Sequence, residues 1–276
     1  MPHPVIRSRP SHVGMSIAAG SLLLLAFASP VLAKEPPTFS VSLGGFFTDR
    51  QSDTRIDGDN GDPGSDIELE DDLGFDKSDT VFRLDGYWRF AAHHRIDVSA
   101  FDLSQTATRV IDRDLTIGDT TFEINTEVNS DLDLSIYKAA YTWQFLNREN
   151  SFLGLTAGLY VADIGTSFSG TGQLGLSVES NDITAPLPVI GLRGEYYLTE
   201  RWLLRGSAEV FYFSYEEFDG SLYDVFAGID YGFTETFAVG LGLITVRLDV
   251  GFEGNRFKGD VDWGYGGAML YVKADF

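Results

Sequence analysis

Apolar and polar residues alternate along most of the chain after its first 37 residues. The segment 81–90 carries apolar or small side chains at its even positions, whereas three of its odd positions are charged. The segments 202–212 and 223–233 repeat this two-residue period. Because neighbouring side chains of a β-strand point to opposite faces, the pattern predicts two-faced strands rather than amphipathic helices.

The strand pattern recurs about ten times, and the connections between segments alternate in length. The predicted strands are 38–48, 79–91, 94–112, 120–146, 151–168, 182–198, 201–216, 221–233, 237–251 and 263–276. Every second connection is short, whereas most of the others are longer and polar, the longest being the acidic loop at about 49–79. This asymmetry favours an all-β, closed antiparallel transmembrane barrel over a secreted β-sandwich. About ten strands are predicted, with eight or twelve as alternatives; short turns face the periplasm and long loops face outward.

The N-terminus has the features of an export signal. Arg7 and Arg9 precede a short apolar stretch, 15–28, and the sequence Val31-Leu32-Ala33 suits cleavage after Ala33. We therefore expect a signal peptide at 1–33 and a single barrel domain at 34–276. Translation from Met15 is the alternative start. No later segment has 18 consecutive apolar residues, so a membrane-spanning helix is not expected.

Aromatic residues cluster where the apolar faces of the strands approach the short turns. Amphipathic rings favour the membrane–water interface, so these residues predict a periplasmic aromatic girdle. Its expected members are Trp88, Phe90, Trp143, Phe145, Tyr196, Trp202, Phe233, Phe237 and Phe276. Tyr137, Tyr212 and Tyr223 are candidates for the opposite ring.

The C-terminal segment resembles the closing strand of bacterial outer-membrane proteins. Phe276 is the last residue, and Leu270, Val272 and Ala274 occupy alternate positions before it. The resemblance implies recognition by the barrel-assembly machinery and a place in a Gram-negative outer membrane, beside its lipid and lipopolysaccharide. In size and loop layout the chain is similar to the OmpA-barrel/opacity, OmpW and omptin groups, without pointing to a specific member.

Composition excludes several functions. With 41 acidic and 20 basic residues, the net charge of −21 opposes nucleic-acid binding. The chain has no cysteine, and so no disulfide, thiolate metal site or cysteine nucleophile. Barrel enzymes of the outer membrane generally use a histidine base at the lipid or extracellular level, but after the signal only His93 and His94 remain, in a predicted periplasmic turn. We therefore do not expect an enzyme.

Charged residues occupy the face predicted to point into the barrel. The positive ones are Arg83, Arg89, Arg95, Lys138, Arg193, Arg205 and Lys273, and the negative ones are Asp85, Asp97, Glu195, Glu209, Asp224, Asp230 and Asp275. These charges indicate either a lumen that selects a solute or a filled interior held by ion pairs. Because the smallest barrels are filled by side chains, the second interpretation is favoured.

The acidic loop contains a candidate metal site. Asp57, Asp59, Asp62 and Glu68 partly follow the spacing of an EF-hand calcium loop, although Gly61 and Asp62 are interchanged relative to that pattern. The alternative is a flexible, solvated loop that gathers divalent cations loosely beside lipopolysaccharide. No other cofactor is expected.

Three local features are irregular. The long segments 94–112 and 120–146 predict a hairpin that projects beyond the membrane. The apolar face switches between Ile136 and Tyr137, which predicts a β-bulge. Pro186 and Pro188 lie near the start of a predicted strand, and we expect them at the outer rim because proline lacks an amide donor.

The sequence as a whole favours a non-enzymatic outer-membrane barrel with a structural or surface-interaction role through its acidic extracellular loops. A narrow channel for small solutes or ions is the alternative. The sequence indicates neither an oligomeric state nor a specific partner.

Overall fold

The computed structural model describes residues 36–57, 63–172, 175–215, 218–253 and 258–276. The predicted signal peptide lies outside these residues. Within them, the chain forms thirteen strands and one short helix. The strands are β1 (Phe39–Asp57), β2 (Ile67–Glu68), β3 (Ser78–Ala91), β4 (His94–Val110), β5 (Leu115–Ile117), β6 (Thr120–Phe122), β7 (Glu127–Arg148), β8 (Ser151–Gly172), β9 (Gly175–Tyr197), β10 (Trp202–Tyr215), β11 (Phe218–Gly232), β12 (Phe237–Glu253) and β13 (Lys258–Asp275).

Ten of these strands form a closed antiparallel barrel, as the alternating pattern predicts. Each long strand pairs with its neighbour in the chain, and β13 returns to pair with β1 from Asp275 beside Ser40 to Lys258 beside Asp57. The main sheet contains eleven strands because the two-residue β2 also pairs with β1. Closure satisfies the backbone groups that an open sheet edge would expose to lipid.

The single helix, α1 (Leu69–Asp72), lies in the first long connection. No helix among the described residues is long and apolar enough to cross a membrane.

The half of the barrel near the short turns has an apolar outer face and a polar interior. On β12, Val239, Leu241 and Leu243 are exposed on the outside, and Leu241 is 53% exposed. The predicted members of both aromatic girdles are also exposed on this surface, from 39% at Tyr196 to 79% at Tyr212. Apolar side chains gain nothing from facing water, so this surface is a belt that contacts lipid.

The opposite half reverses this arrangement without changing which positions face inward. On β7, even positions are buried from Val128 to Gln144, and odd positions face outward throughout. Between Tyr137 and the short turn, the buried positions are mostly polar. On the other side of Tyr137, Ile136, Leu134 and Leu132 form part of the apolar interior. The segment 127–136 adds about 30 Å of strand beyond the belt, at about 3.3 Å per residue.

The predicted bulge between Ile136 and Tyr137 is therefore wrong. The pairing of β7 with β4 and β8 runs through these residues without a shift, and the irregularity lies between Trp143 and Leu146. The apolar face changes because the outside changes from lipid to water, while the interior changes from charged to apolar.

Two connections fold over the outer end of the barrel, where the sequence predicted a long loop and a simple hairpin. We call residues 63–77 and 111–126 the cap. β1 continues to Asp57, so the first connection is shorter than expected, and residues 120–126 belong to the β5–β6 hairpin and the return to β7 rather than to the strand itself. Ile67, Leu69, Leu73 and Phe75 are buried against residues of this hairpin and of β4, β7 and β8. The described part of the acidic loop is thus folded, which corrects the expectation of a solvated loop.

The reversal between the two halves predicts that an outward-facing arginine destabilises the protein strongly in one half and hardly at all in the other. Leu241→Arg is expected to lower the free energy of unfolding by about 2–4 kcal/mol, because it places a charge in the lipid belt. Asp131→Arg, at an exposed outward position of β7 and six residues beyond Tyr137 of the opposite ring, is expected to change it by less than about 0.5 kcal/mol. Urea unfolding in lipid vesicles measures both, and equal losses would contradict the assignment of the belt.

Candidate functional site

The interior of the membrane-embedded half contains a layer of buried ion pairs, which we call the charged layer. Arg95 lies near its base and is only 2% exposed. Its Nη1 is 2.6 Å from Glu195 Oε1, and its Nε donates to Asp97 Oδ1 at 2.7 Å. The guanidinium carbon of Arg95 also lies 3.7 Å from the ring centre of Tyr87. Two carboxylates and an aromatic face therefore hold this arginine.

A second group of ion pairs centres on Glu209, which is 1% exposed. Its carboxylate contacts Lys138 Nζ, and its Oε1 accepts from Arg193 Nη2 at 3.1 Å. Asp224 lies on the other side of Lys138, with 3.6 Å between Oδ2 and Nζ, and accepts a hydrogen bond from the hydroxyl of Tyr160. These contacts join strands β7, β8, β9, β10 and β11 across the lumen.

A third group centres on Asp230. Its Oδ2 is 2.9 Å from Lys273 Nζ and 3.2 Å from Arg205 Nε, and its Oδ1 accepts from the hydroxyl of Tyr271. Lys273 Nζ also lies 3.2 Å from Asp275 Oδ2. The interior thus pairs a central carboxylate with two cations in both this group and the preceding one.

The remaining predicted lumen residues are less completely paired. Arg83 Nε donates to Asp85 Oδ1 at 2.9 Å. Arg89 is only partly buried, and its Nε has no hydrogen-bond partner among the described residues. The structure therefore brings most of the predicted charges into one network and leaves Arg89 at its margin.

Little free space remains inside the barrel wall. The charged layer encloses a cavity of about 60 Å³ lined by Arg83, Lys138 and Arg205 among others. This volume has room for about four water molecules. Above it, the apolar side chains of Phe101, Leu187 and Tyr265 belong to a continuous buried core. A second cavity of about 60 Å³ lies in this apolar half, beside Leu134 and Trp263, so each of these two lumen cavities has room for only a few water molecules.

The cap is held to the barrel by backbone and charged contacts. Ser65 N donates to Thr116 O at 2.8 Å, and Gly118 N donates to Ile56 O at 3.0 Å. Arg113 Nη2 lies 2.6 Å from Asp72 Oδ2. These bonds join the two cap segments to each other and to β1.

Only Asp57 and Glu68 of the four predicted metal-binding residues lie in the described part of the chain. Asp57 Oδ1 accepts from Arg55 Nε at 3.1 Å and from Gly64 N at 2.9 Å, so its carboxylate already has donors. Glu68 lies on β2, and Asp59 and Asp62 lie outside the described residues. Among the described residues, no group of three or more potential ligands could hold a metal ion.

An acidic row crosses the barrel wall beside the cap. Asp53 is directly opposite Asp262 on β13 and Glu68 on β2. Burial raises the pKa of Asp53, and the carboxylates of Asp262, Glu70 and Asp66 raise it further. The pKa of Glu68 is raised mainly by the charge of Asp53. Like charges at this spacing repel, so the row creates a negative potential that attracts cations.

This row borders a cleft of about 460 Å³, which Arg55 and Arg113 also line. The acidic row depends on strand register between distant segments, so the sequence did not reveal it. The interior tyrosines Tyr160 and Tyr271 were also missed. They share the inward parity of the predicted charges, and that parity could have identified them.

The other predicted residues lie toward the periplasmic end of the barrel. Leu270, Val272 and Phe276, the proposed assembly signal, are exposed on the outer face. His93 and His94 lie at the periplasmic turn, where their Nδ1 atoms are 2.8 Å from Gln144 O and 2.6 Å from the hydroxyl of Tyr141.

Comparisons with known proteins show the fold of the chain. No protein-family model and no curated sequence matches it. The solved structure of the outer membrane protease OmpT from Escherichia coli is similar, with a TM-score of 0.58, 14% identity, and coverage of 90% of this chain and 100% of that chain. The translocator domain of the autotransporter NalP from Neisseria meningitidis gives a TM-score of 0.43 at 12% identity, covering 88% of this chain and 91% of that chain. Ail, the attachment invasion locus protein of Yersinia pestis, gives a TM-score of 0.37 at 13% identity, covering 86% of this chain and 99% of that chain.

The likeness to OmpT shows the fold alone. Together with the exposed apolar belt, it shows that the chain has the fold of the outer-membrane β-barrels, with an outer face suited to lipid.

The charged layer predicts a large cost for removing one central carboxylate. Glu209→Gln leaves Lys138 and Arg193 without their shared charge, and is expected to lower the free energy of unfolding by about 3 kcal/mol or more. Asp131→Asn, at an exposed outward position, is the control and is expected to change it by less than about 0.5 kcal/mol. Equal, small effects in vesicle unfolding experiments would show that the ion pairs do not stabilise the barrel.

Proposed function

We propose that this protein is a non-enzymatic outer-membrane barrel that acts through its acidic extracellular surface. The observation that carries the proposal is the filled interior: charged side chains occupy the lower lumen, and an apolar core with the cap above it occupies the upper lumen. A barrel without a passage has its outward surface available for function, in addition to any mechanical role in the membrane.

The narrow channel, the alternative from the sequence, receives no support from this interior. Water or ions would have to cross an apolar core in which Leu187 and Tyr265 are buried. Moving an ion into such surroundings is costly unless compensating charges line the path. The compensating charges of this barrel lie below that core and are paired with one another.

Carboxylates outside the barrel form an acidic surface just above the lipid belt. Asp102 on β4 and Asp163 on β8 both lie opposite Ser135 on β7. Asp131 and Asp133 follow on the same face of β7 and are exposed. A concentrated negative field steers cationic partners and attracts divalent cations, so we propose cationic peptides or proteins as partners, with lipopolysaccharide bridged through divalent cations.

The position of the histidines supports a non-enzymatic role. OmpT is a protease, but its likeness to this chain is in fold. His93 and His94, the only histidines after the predicted signal, contact groups at the periplasmic end. A histidine base is therefore far along the strands from the cap and its cleft.

Planar-bilayer recordings test the closed lumen. Folded protein, verified by its shifted gel migration without boiling, is expected to give no stable unitary conductance, because the interior is filled. Reproducible unitary steps from the same preparation, absent from a boiled sample, would favour the channel instead.

Binding of a cationic peptide to the protein in lipid nanodiscs tests the acidic surface. The triple variant Asp102→Asn/Asp131→Asn/Asp133→Asn is expected to weaken binding about five- to tenfold, at about 0.3–0.5 kcal/mol per exposed charge. The effect should shrink as salt is added.

The matched control for this experiment is Glu149→Gln/Glu200→Gln/Glu235→Gln, which removes the same charge from the periplasmic turns. Both faces are accessible in a nanodisc, so a simple effect of net charge would weaken both variants equally and would contradict the proposal. Cleavage of the peptide by the wild-type protein would contradict the non-enzymatic role.

A further inference from the structure

The barrel wall is incomplete between β9 and β10. These strands pair from Tyr197 beside Leu203 up to Ile190 beside Val210. Beyond that point β9 continues to Gly175 and β10 continues to Tyr215. β9 remains paired with β8 along the whole of this extension. We call the place where the β9–β10 ladder ends, at residues 186–189 of β9 and Tyr212 of β10, the seam; among the described residues no β9–β10 pairing continues above it.

Two prolines in β9 account for the seam. Tyr197 N donates to Asn150 O on the β8 side, so odd-numbered amides of β9 point toward β8 and even-numbered amides point toward β10. Pro186 and Pro188 occupy even positions, where their missing N–H groups would have bonded to β10. An edge without these donors cannot continue the hydrogen-bond ladder. It also leaves fewer polar backbone groups unpaired in lipid.

The position of the prolines corrects the expectation from the sequence. They lie within β9, eleven and thirteen residues after its first residue Gly175, rather than at the rim of the barrel. Their neighbours across β8 are Val161 and Leu159, at the top of the lipid belt. The alternating Pro-Leu-Pro sequence therefore ends the β9–β10 hydrogen-bond ladder at the level of the outer leaflet.

A second interruption of the wall, between β3 and β4, is bridged. Pairing there stops at Arg83 beside Phe101. Above it, Gln105 Nε2 donates to Asp79 Oδ2 at 3.0 Å, and Phe75 of the cap is buried against the same side of the barrel. Neither strand carries proline, so this junction closes by side-chain contacts, whereas the seam is fixed in the backbone of β9.

Both sides of the seam are apolar. On the membrane side, Ile190 is 67% exposed and Tyr212 is 79% exposed. Behind the wall, Leu187, Val189 and Leu222 belong to the apolar core of the upper half. The charged layer begins immediately below, since Glu209 is opposite Gly191. A hydrocarbon chain that passed through the wall at this height would contact apolar side chains. A few residues closer to the short turns it would contact the buried charges of the charged layer.

We propose that the seam is a lateral binding site for one acyl chain of an outer-leaflet lipid. The chain lies between Pro188 and Tyr212 and contacts Leu187 and Val189 inside the wall. The continuous lipid belt below the seam identifies the occupant, because hydrocarbon is what surrounds these residues in the membrane. The site depends on the membrane-embedded fold and is independent of the role of the acidic surface.

Cysteine labelling from the membrane tests the site, and the chain has no cysteine of its own. Leu187→Cys is compared with Ile244→Cys. Both native side chains are buried in the same core, at 1% and 2% exposure. Ile244 is the control because its strand, β12, is paired on both edges. The reagent is N-dodecylmaleimide dissolved in the vesicle lipid. We expect labelling at position 187 to be at least about tenfold faster than at 244, since labelling follows local opening.

A charged, water-soluble maleimide and a proline-free variant complete the experiment. The charged reagent is expected to label neither position. Pro186→Val/Pro188→Val in the Leu187→Cys background restores two amide donors toward β10, and is expected to reduce the alkyl labelling to the rate at 244. Each variant is first shown to fold by its heat-dependent gel migration.

Three results would overturn the proposal: equal alkyl labelling at the two positions, faster labelling of position 187 by the charged reagent than by the alkyl reagent, or alkyl labelling that the proline replacements leave unchanged.

Discussion

The requirement that backbone amides and carbonyls be hydrogen-bonded inside a lipid bilayer determines the architecture of this protein. In hydrocarbon an unpaired group costs several kcal/mol, and a closed sheet pairs the groups of every strand with its neighbours. The pairing of β13 with β1 provides this closure. Once the wall is closed, each side chain faces either the lumen or the outside, and the two-residue period of the strand determines which. At the seam, Pro188 reduces the number of unpaired groups, because its even-numbered position has no N–H donor.

The two media outside the wall explain the two interiors. Where lipid is outside, apolar side chains cover the outer face, and the lumen collects polar groups that neutralise one another around Glu209 and Asp230. Where water is outside, polar residues such as Asp131 face outward and the interior is an apolar core like that of a soluble protein. The filled lumen follows from both halves, and it supports a role for the outer surface rather than for transport.

Alternation and turn length were sufficient to predict the ten strands, their order and the lipid-facing girdles, because these depend on local periodicity. The switch at Ile136 and Tyr137 was assigned to a bulge because a change of environment and a change of register produce the same pattern of apolar and polar residues. The cap was missed since Leu69 and Phe75 are separated by acids in the sequence and meet their partners only in three dimensions. The inward charges could be enumerated from parity, but their pairing, such as Arg95 with Glu195, depends on strands 100 residues apart.

The measurement that tests this account most directly is a single-cysteine spin-label scan of β7 from residue 127 to 145 in lipid vesicles. The account predicts that odd positions are accessible along the whole strand, to a water-soluble nickel reagent from 127 to 135 and to oxygen from 137 to 145, with even positions protected throughout. An exchange of accessibility from odd to even positions near residue 136 would contradict it, because the strand would then change register rather than solvent.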